Sequence, residues 1–274
     1  MPGESAVRLR TLDGLHLAGT LTLPGTSADH GVVLVHGGGV TREEGGFFSR
    51  LAAGLGDAGV ASLRYDLRGH GESEGHQEDS PLTAHLNDIR VALDYLLAAG
   101  LSRVSLLGAS FGGGLVAYYA ASGPGRLTRV VLFNPLLDYK NRFIDQKPYW
   151  SDDRLDDDAA RQLSDSGYIA HSPAFKLGRG LLNEVFWFCP RRVLGAITAP
   201  VLIVHGTKDT FVPVESSREA LPLLNAEHRL VEIEGSQHGF AVHDDPGYLN
   251  PQSQQWQASV IRTTAQWLTP GSGA

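Results

Sequence analysis

The sequence predicts an α/β fold, a mostly parallel central sheet with helices on both faces, and three observations carry that prediction. Short β-branched runs alternate with helical stretches along most of the chain, as strand–crossover–strand units require. Several of these runs, residues 32–35 and 201–204 among them, are apolar throughout, as strands covered on both faces must be. Between residues 134 and 199 the alternation stops, and a stretch that long is not a plain loop in a compact domain.

Taken in order, residues 7–12 and 15–23 are β-rich runs separated by Asp13-Gly14, a dipeptide that predicts a hairpin and so antiparallel strands at one sheet edge. Residues 32–35 form a buried strand ending at His36-Gly37-Gly38-Gly39. Phe47, Leu51 and Leu55 share one face of a helix over 47–58. A short strand over 60–65 runs into the polar turn Asp66-Leu67-Arg68-Gly69-His70-Gly71-Glu72-Ser73. Leu86, Ile89, Leu93 and Leu96 stripe a long helix over 82–98. Residues 104–107 are a buried strand ending at Gly108, and 115–121 continue a helix beyond the following turn. Strands at 130–133, 201–204 and 229–233 and a closing helix at 254–268 complete the pattern, with 270–274 as a frayed tail.

This reading divides the chain into a core built from 1–133 and 200–274 and a cap or lid insertion, largely helical, at 134–199. The insertion is rich in aromatic residues, including Phe143, Tyr149, Trp150 and Phe175. Its acidic cluster, Asp152, Asp153, Asp156, Asp157 and Asp158, reads as a solvated face or a helix start.

Composition narrows the function classes. A formal charge of −7 and a pI near 5.8 argue against a nucleic-acid footprint, which needs clustered Lys and Arg. A single cysteine, Cys189, excludes an intramolecular disulfide and a thiolate metal cluster, and reads as a small buried apolar side chain. Met1-Pro2-Gly3-Glu4-Ser5 lacks a basic region followed by an apolar run, so no secretory signal is expected. No stretch reaches the ~18 apolar residues of a membrane span. Cytoplasmic residence without membrane contact is the default expectation, and no heptad run points to an oligomeric state.

The chemistry centres on Gly108-Ala109-Ser110-Phe111-Gly112, set between a buried strand and a helix. A serine on such a strained strand-to-helix turn presents its hydroxyl above the sheet edge, and flanking glycines remove Cβ atoms that would strike neighbouring backbone. A serine hydroxyl needs a base, itself oriented by a third group. Asp209 and His238 follow later strands, in the order serine, acid, histidine. Asp138, after the strand at 130–133, is the rival acid. Among the eleven histidines, His243 lacks a glycine-flanked turn after a strand, and His205 precedes the acid turn as a structural residue. The oxyanion of an acyl-transfer intermediate needs preorganised donors. Phe111 N–H is one candidate, and Gly38 N–H the second, with Gly37 as fallback, while His36 braces the loop.

His36-Gly37-Gly38, the turn from Asp66 to Ser73, Gly108–Gly113, His205-Gly206-Thr207-Lys208-Asp209 and Gly235-Ser236-Gln237-His238-Gly239-Phe240 together resemble the α/β-hydrolase superfamily. Within it the chain is similar to the esterase branch of bacterial feruloyl and cinnamoyl esterases, and more distantly to acylaminoacyl-peptidase-like hydrolases. The resemblance covers about 7–133 and 200–268. It implies an α/β-hydrolase fold, a triad of Ser110, Asp209 and His238, oxyanion amides from Gly38 and Phe111, and a structural role for the turn at 66–73. It further implies a small-molecule carboxylic ester as substrate, with no metal and no organic cofactor. Thioesterases, amidases or peptidases, carbon–carbon bond hydrolases and acyltransferases use the same triad, and some relatives bind ligands without turnover. Two features depart from the branch: feruloyl esterases often carry a bulky residue where Gly38 stands, and their caps do not resemble 134–199.

Overall fold

A computed structural model describes residues 2–269 except 124 and 126; the tail at 270–274 lies outside the described residues. The predicted hairpin is formed by β1 (Gly3–Arg10) and β2 (His16–Leu23), antiparallel to each other. The chain then alternates: β3 (His30–Val35), α1 (Phe47–Asp57), β4 (Ala61–Tyr65), α2 (Leu82–Ala98), β5 (Arg103–Ala109), α3 (Ser110–Ser122) and β6 (Val130–Phe133).

After β6 come a one-turn π-helix (Asn141–Asp145), β7 (Trp150–Ser151), β8 (Arg154–Leu155), α4 (Asp157–Ser166), β9 (Tyr168–Ser172) and β10 (Phe175–Gly178). Two short helices follow, α5 (Arg179–Glu184) and α6 (Pro190–Val193). The core resumes with β11 (Val201–Gly206), α7 (Glu215–Ala220), β12 (His228–Ile233) and α8 (Pro251–Leu268).

One eight-stranded sheet runs in the order β1-β2-β4-β3-β5-β6-β11-β12. β2 is antiparallel to both its neighbours, and every pairing from β4 to β12 is parallel. The apolar strands explain this arrangement, because alternate side chains point to opposite faces and both faces need cover. Val33, Val35, Leu106, Leu132 and Ile203 pack with α2 and α3. Val32, Leu34, Leu107, Val131 and Leu202 pack with α1 and α8.

The segment between β6 and β11 contains helices and also two antiparallel hairpins, β7–β8 and β9–β10, which the periodicity does not predict. Asp152 and Asp153 have φ of 50° and 59°, the left-handed pair that a two-residue hairpin turn needs. Asp156 accepts a hydrogen bond from Ala159 N at 2.8 Å as the cap of α4, with Asp157 and Asp158 in its first turn, where carboxylates favour the helix dipole. Phe143, Phe175 and Phe188 join the main core, and Cys189 is half-buried rather than enclosed.

The hairpin β9–β10 is stitched to the core ahead of α2: Lys176 N donates to Gln77 Oε1 at 2.9 Å and Gln77 Nε2 donates to Ala174 O at 3.2 Å. A Cβ on Gly178 would lie 1.8 Å from Glu78 O, so only glycine lets the two segments meet this closely. No helix among the described residues is long and apolar enough to cross a membrane.

Candidate active site

Ser110 directly follows β5 and begins α3 with φ 51°, a strained conformation for a residue with a Cβ. The glycines around it are required by close approach. A Cβ on Gly108 would lie 2.4 Å from Gly112 O, and one on Gly112 would lie 2.4 Å from His36 O. Phe111 N lies in the first turn of α3, where amides have no intrahelical acceptor. Leu136 N donates to Ser110 O at 2.9 Å and Tyr139 Oη donates to Phe111 O at 2.6 Å, so the segment that follows β6 braces the turn.

Asp209 and His238 follow β11 and β12 and meet there: His238 Nδ1 lies 2.6 Å from Asp209 Oδ2. The Asp209 side chain is fully buried and the His238 side chain is 25% exposed, which leaves the ring open toward the cavity. The second carboxylate oxygen accepts from Phe211 N at 2.8 Å and Val212 N at 2.9 Å. Burial alone would raise the Asp209 pKa, but hydrogen bonds from His205, His238 and Val212 hold it well below the ordinary carboxylate value. His205 lies beneath the acid, bonded to Ser217 Oγ at 2.7 Å and Val212 O at 2.8 Å.

Asp138, the rival acid, instead accepts from Asn141 N at 3.0 Å and lines a separate groove. His243 is exposed beside Asp244.

In the loop after β3, His36 accepts from Leu67 N at 2.9 Å and its Nδ1 faces Gly37 O at 2.7 Å. Burial lowers its pKa to about 3, so the ring is neutral. The turn at 66–73 fixes this loop from below, since Asp66 accepts from Arg42 N at 2.7 Å and Glu72 N at 2.9 Å. Gly37 N donates to Glu44 Oε1 and Gly39 N to His70 Nε2. Of the two candidate loop amides, Gly37 is therefore engaged, and Gly38 N has no hydrogen bond among the described residues. A Cβ on Gly38 would lie 2.7 Å from the Phe175 ring, so the aromatic ring from β10 occupies the space beside this position.

Ser110, Gly38, Phe111 and His238 line one cavity of about 390 Å³. No hydrogen bond joins Ser110 Oγ to His238 among the described residues, although both line the cavity. Phe143, Phe175 and Leu136 supply apolar walls, while Glu44, Arg142, Lys147 and His171 add polar groups that sequence patterns do not single out. The Glu44 carboxyl is pushed up to about 7 by burial, with the Gly37 amide and His238 opposing. Its only sequence signal is an acid just past a glycine-rich loop. No cluster of three His, Cys, Asp or Glu side chains is arranged to hold a metal ion among the described residues.

The family model described as "Serine aminopeptidase, S33" matches residues 26–245. The chain belongs to that family. This serine aminopeptidase family member is 30% identical over 230 residues to a monoacylglycerol lipase of Mycolicibacterium smegmatis, spanning 75% of this chain and 79% of the lipase. A non-heme chloroperoxidase of Kitasatospora aureofaciens is 28% identical over 223 residues, 68% of this chain and 78% of that enzyme. Among solved structures, Est1E from Butyrivibrio proteoclasticus with ferulic acid bound superposes with a TM-score of 0.76 at 22% identity, covering 94% of this chain and 100% of that one. The fold is thus that of the α/β-hydrolases, and this family member is a serine hydrolase with esterase- or lipase-like relatives.

Proposed function

We propose that this hydrolase cleaves a small carboxylic ester through an acyl-enzyme, with Ser110 as nucleophile, His238 as general base and acid, and Asp209 as the orienting carboxylate. The observation that carries the reading is the 2.6 Å contact between His238 Nδ1 and the buried Asp209 carboxylate, on the wall of the cavity that holds the strained Ser110 turn. An ionised Asp209 takes the Nδ1 proton in a hydrogen bond and leaves Nε2 free to accept. His238 Nε2 removes the Ser110 proton as Oγ attacks the ester carbonyl, through a hydrogen bond that forms in the substrate complex. The amides of Gly38 and Phe111 receive the oxyanion. Collapse expels the alcohol, protonated by His238, and water repeats the sequence on the acyl-enzyme to release the acid.

In this reading 134–199 is a cap inserted between two parts of the core, and it shapes the acyl and alcohol pockets. Phe143, Phe175 and Leu136 favour an apolar or aromatic group next to the scissile bond. The monoacylglycerol lipase relative supports an ester over an amide.

The test is stopped-flow hydrolysis of a p-nitrophenyl ester alongside the thioester and amide of the same acyl group. A burst of p-nitrophenolate stoichiometric with enzyme, with the ester fastest, supports the proposal. Absence of turnover on all three, or an amide as the best substrate, refutes it.

A further inference from the structure

The polar residues in the roof of the Ser110 cavity have a charge pattern that a neutral ester does not require. Arg142 and Lys147 both line the cavity, both are half-buried, and neither makes an ion pair among the described residues. Lys140, two positions before Arg142, shows that the same segment readily pairs its cations: it reaches Asp145 at 2.7 Å and Asp153 at 2.8 Å. Among the described residues the Arg142 side chain has only Gln146 Oε1 at 3.3 Å and the face of Phe211 at 5.9 Å.

The two cations are close enough to oppose each other. Burial lowers the Lys147 pKa and the Arg142 charge lowers it further. His171, on the same wall, has its Nδ1 buried without a hydrogen-bond partner. Its pKa falls to about 4 through burial and the charges of Lys147 and Arg142, so it stays neutral. Like charges held together in a partly desolvated cavity cost free energy unless a counter-charge arrives. Glu44, on the opposite loop, is committed to the Gly37 amide, and Asp209 to His238.

We infer that Arg142 and Lys147 form an anion-binding subsite, and that the substrate is an ester bearing a carboxylate beyond a short apolar spacer. The guanidinium fork suits a carboxylate and the ammonium adds a point charge. A singly charged carboxylate costs less than a dianion to bring into a cavity whose other walls are Phe143 and Phe175. The subsite sits toward His238, because the Phe211 ring that faces Arg142 also lies 5.3 Å from the His238 ring. The anion site stands on the cavity alone, and the word ester rests on the proposed function.

The experiment pairs kinetics with binding in the full-length chain. The kcat/KM of phenyl butyrate is compared with those of 4-carboxyphenyl butyrate and the monophenyl ester of glutarate, in wild type, Arg142→Gln/Lys147→Met and Arg142→Lys/Lys147→Arg. At least one charged ester is expected to be preferred about tenfold or more by wild type. The preference collapses toward unity in the charge-removing pair and returns in the charge-retaining pair, which also controls for misfolding. NMR titrations with 4-hydroxybenzoate against phenol, and glutarate against butyrate, read the subsite without turnover. If no ester is hydrolysed but anion binding still weakens about tenfold in Arg142→Gln/Lys147→Met, the ester reading falls and the anion site holds. Anion binding and ester preference that survive loss of both charges overturn the subsite.

Discussion

At the carboxyl edge of the sheet, two of the residues proposed for chemistry are held by backbone, and the third, His238, by the Asp209 carboxylate. Ser110 sits in a turn that glycines on both sides make possible, and the Asp209 carboxylate accepts two successive amides. In the roof over the same cavity, Arg142, Lys147 and His171 hang from a one-turn π-helix, the loop after it and a five-residue strand. They have few polar partners within the protein. In the proposed function, bond cleavage sits at this backbone-braced edge and substrate choice in the segment over it, as expected where sites are grafted onto a fold. Phe175 is one point of contact between the two, buried against Gly38 and 5.2 Å from the Phe111 ring.

The largest break in that comparison comes from Ser110→Ala. Turnover of a p-nitrophenyl ester should fall by about 10⁴- to 10⁶-fold, with the unfolding midpoint nearly unchanged because Oγ makes no structural hydrogen bond among those of the described residues. Asp209→Asn comes next, at about 10⁴-fold in kcat, because a neutral amide no longer fixes the Nδ1–H tautomer. A loss below about tenfold would move the acid elsewhere.

Gly38→Ala tests the junction of the two regions. The added methyl meets the Phe175 ring, displaces the loop amide and should cost about 10²-fold in kcat. Gly38→Ala/Phe175→Ala should recover about tenfold of that loss, measured as a double-mutant cycle. Strict additivity would separate edge from roof.

Glu44→Gln is the mildest change and is read by pH. A carboxyl whose folded pKa lies near 7, raised by burial, binds its proton more tightly folded than unfolded. Its stability contribution is therefore complete below its unfolded pKa of about 4.3 and is lost as pH rises through about 7. Wild type should lose about 2–4 °C of Tm between pH 5 and 8 relative to Glu44→Gln, measured by thermal unfolding; parallel curves would show that Glu44 does not titrate there.

The same contrast explains what could be read in advance. The strands of the core are apolar runs punctuated by glycine, so the sheet and the turns carrying Ser110, Asp209 and His238 are visible in local pattern. β9 is not: its burial alternates irregularly over Tyr168–Ser172 and it carries His171 and Ser172, so its pairing with β10 depends on contacts with Gln77 and Glu78 from a distant segment. α7 is hidden for a similar reason, being six residues with Ser216 and Ser217 among them. Glu44 stands seven residues beyond the amide it binds, and only the folding of the loop reveals the contact. Which aromatic residues between β6 and β11 pack inward is likewise tertiary: Phe188 is buried and Trp187, its neighbour, is 86% exposed.

The most direct measurement is labelling with a fluorophosphonate followed by peptide mass spectrometry. Wild type should carry one phosphonyl adduct on Ser110, Asp209→Asn and His238→Ala should label far more slowly, and Ser110→Ala should not label at all. An unlabelled wild type, or an adduct that persists in Ser110→Ala, contradicts the assignment of Ser110 as the nucleophile at this sheet edge.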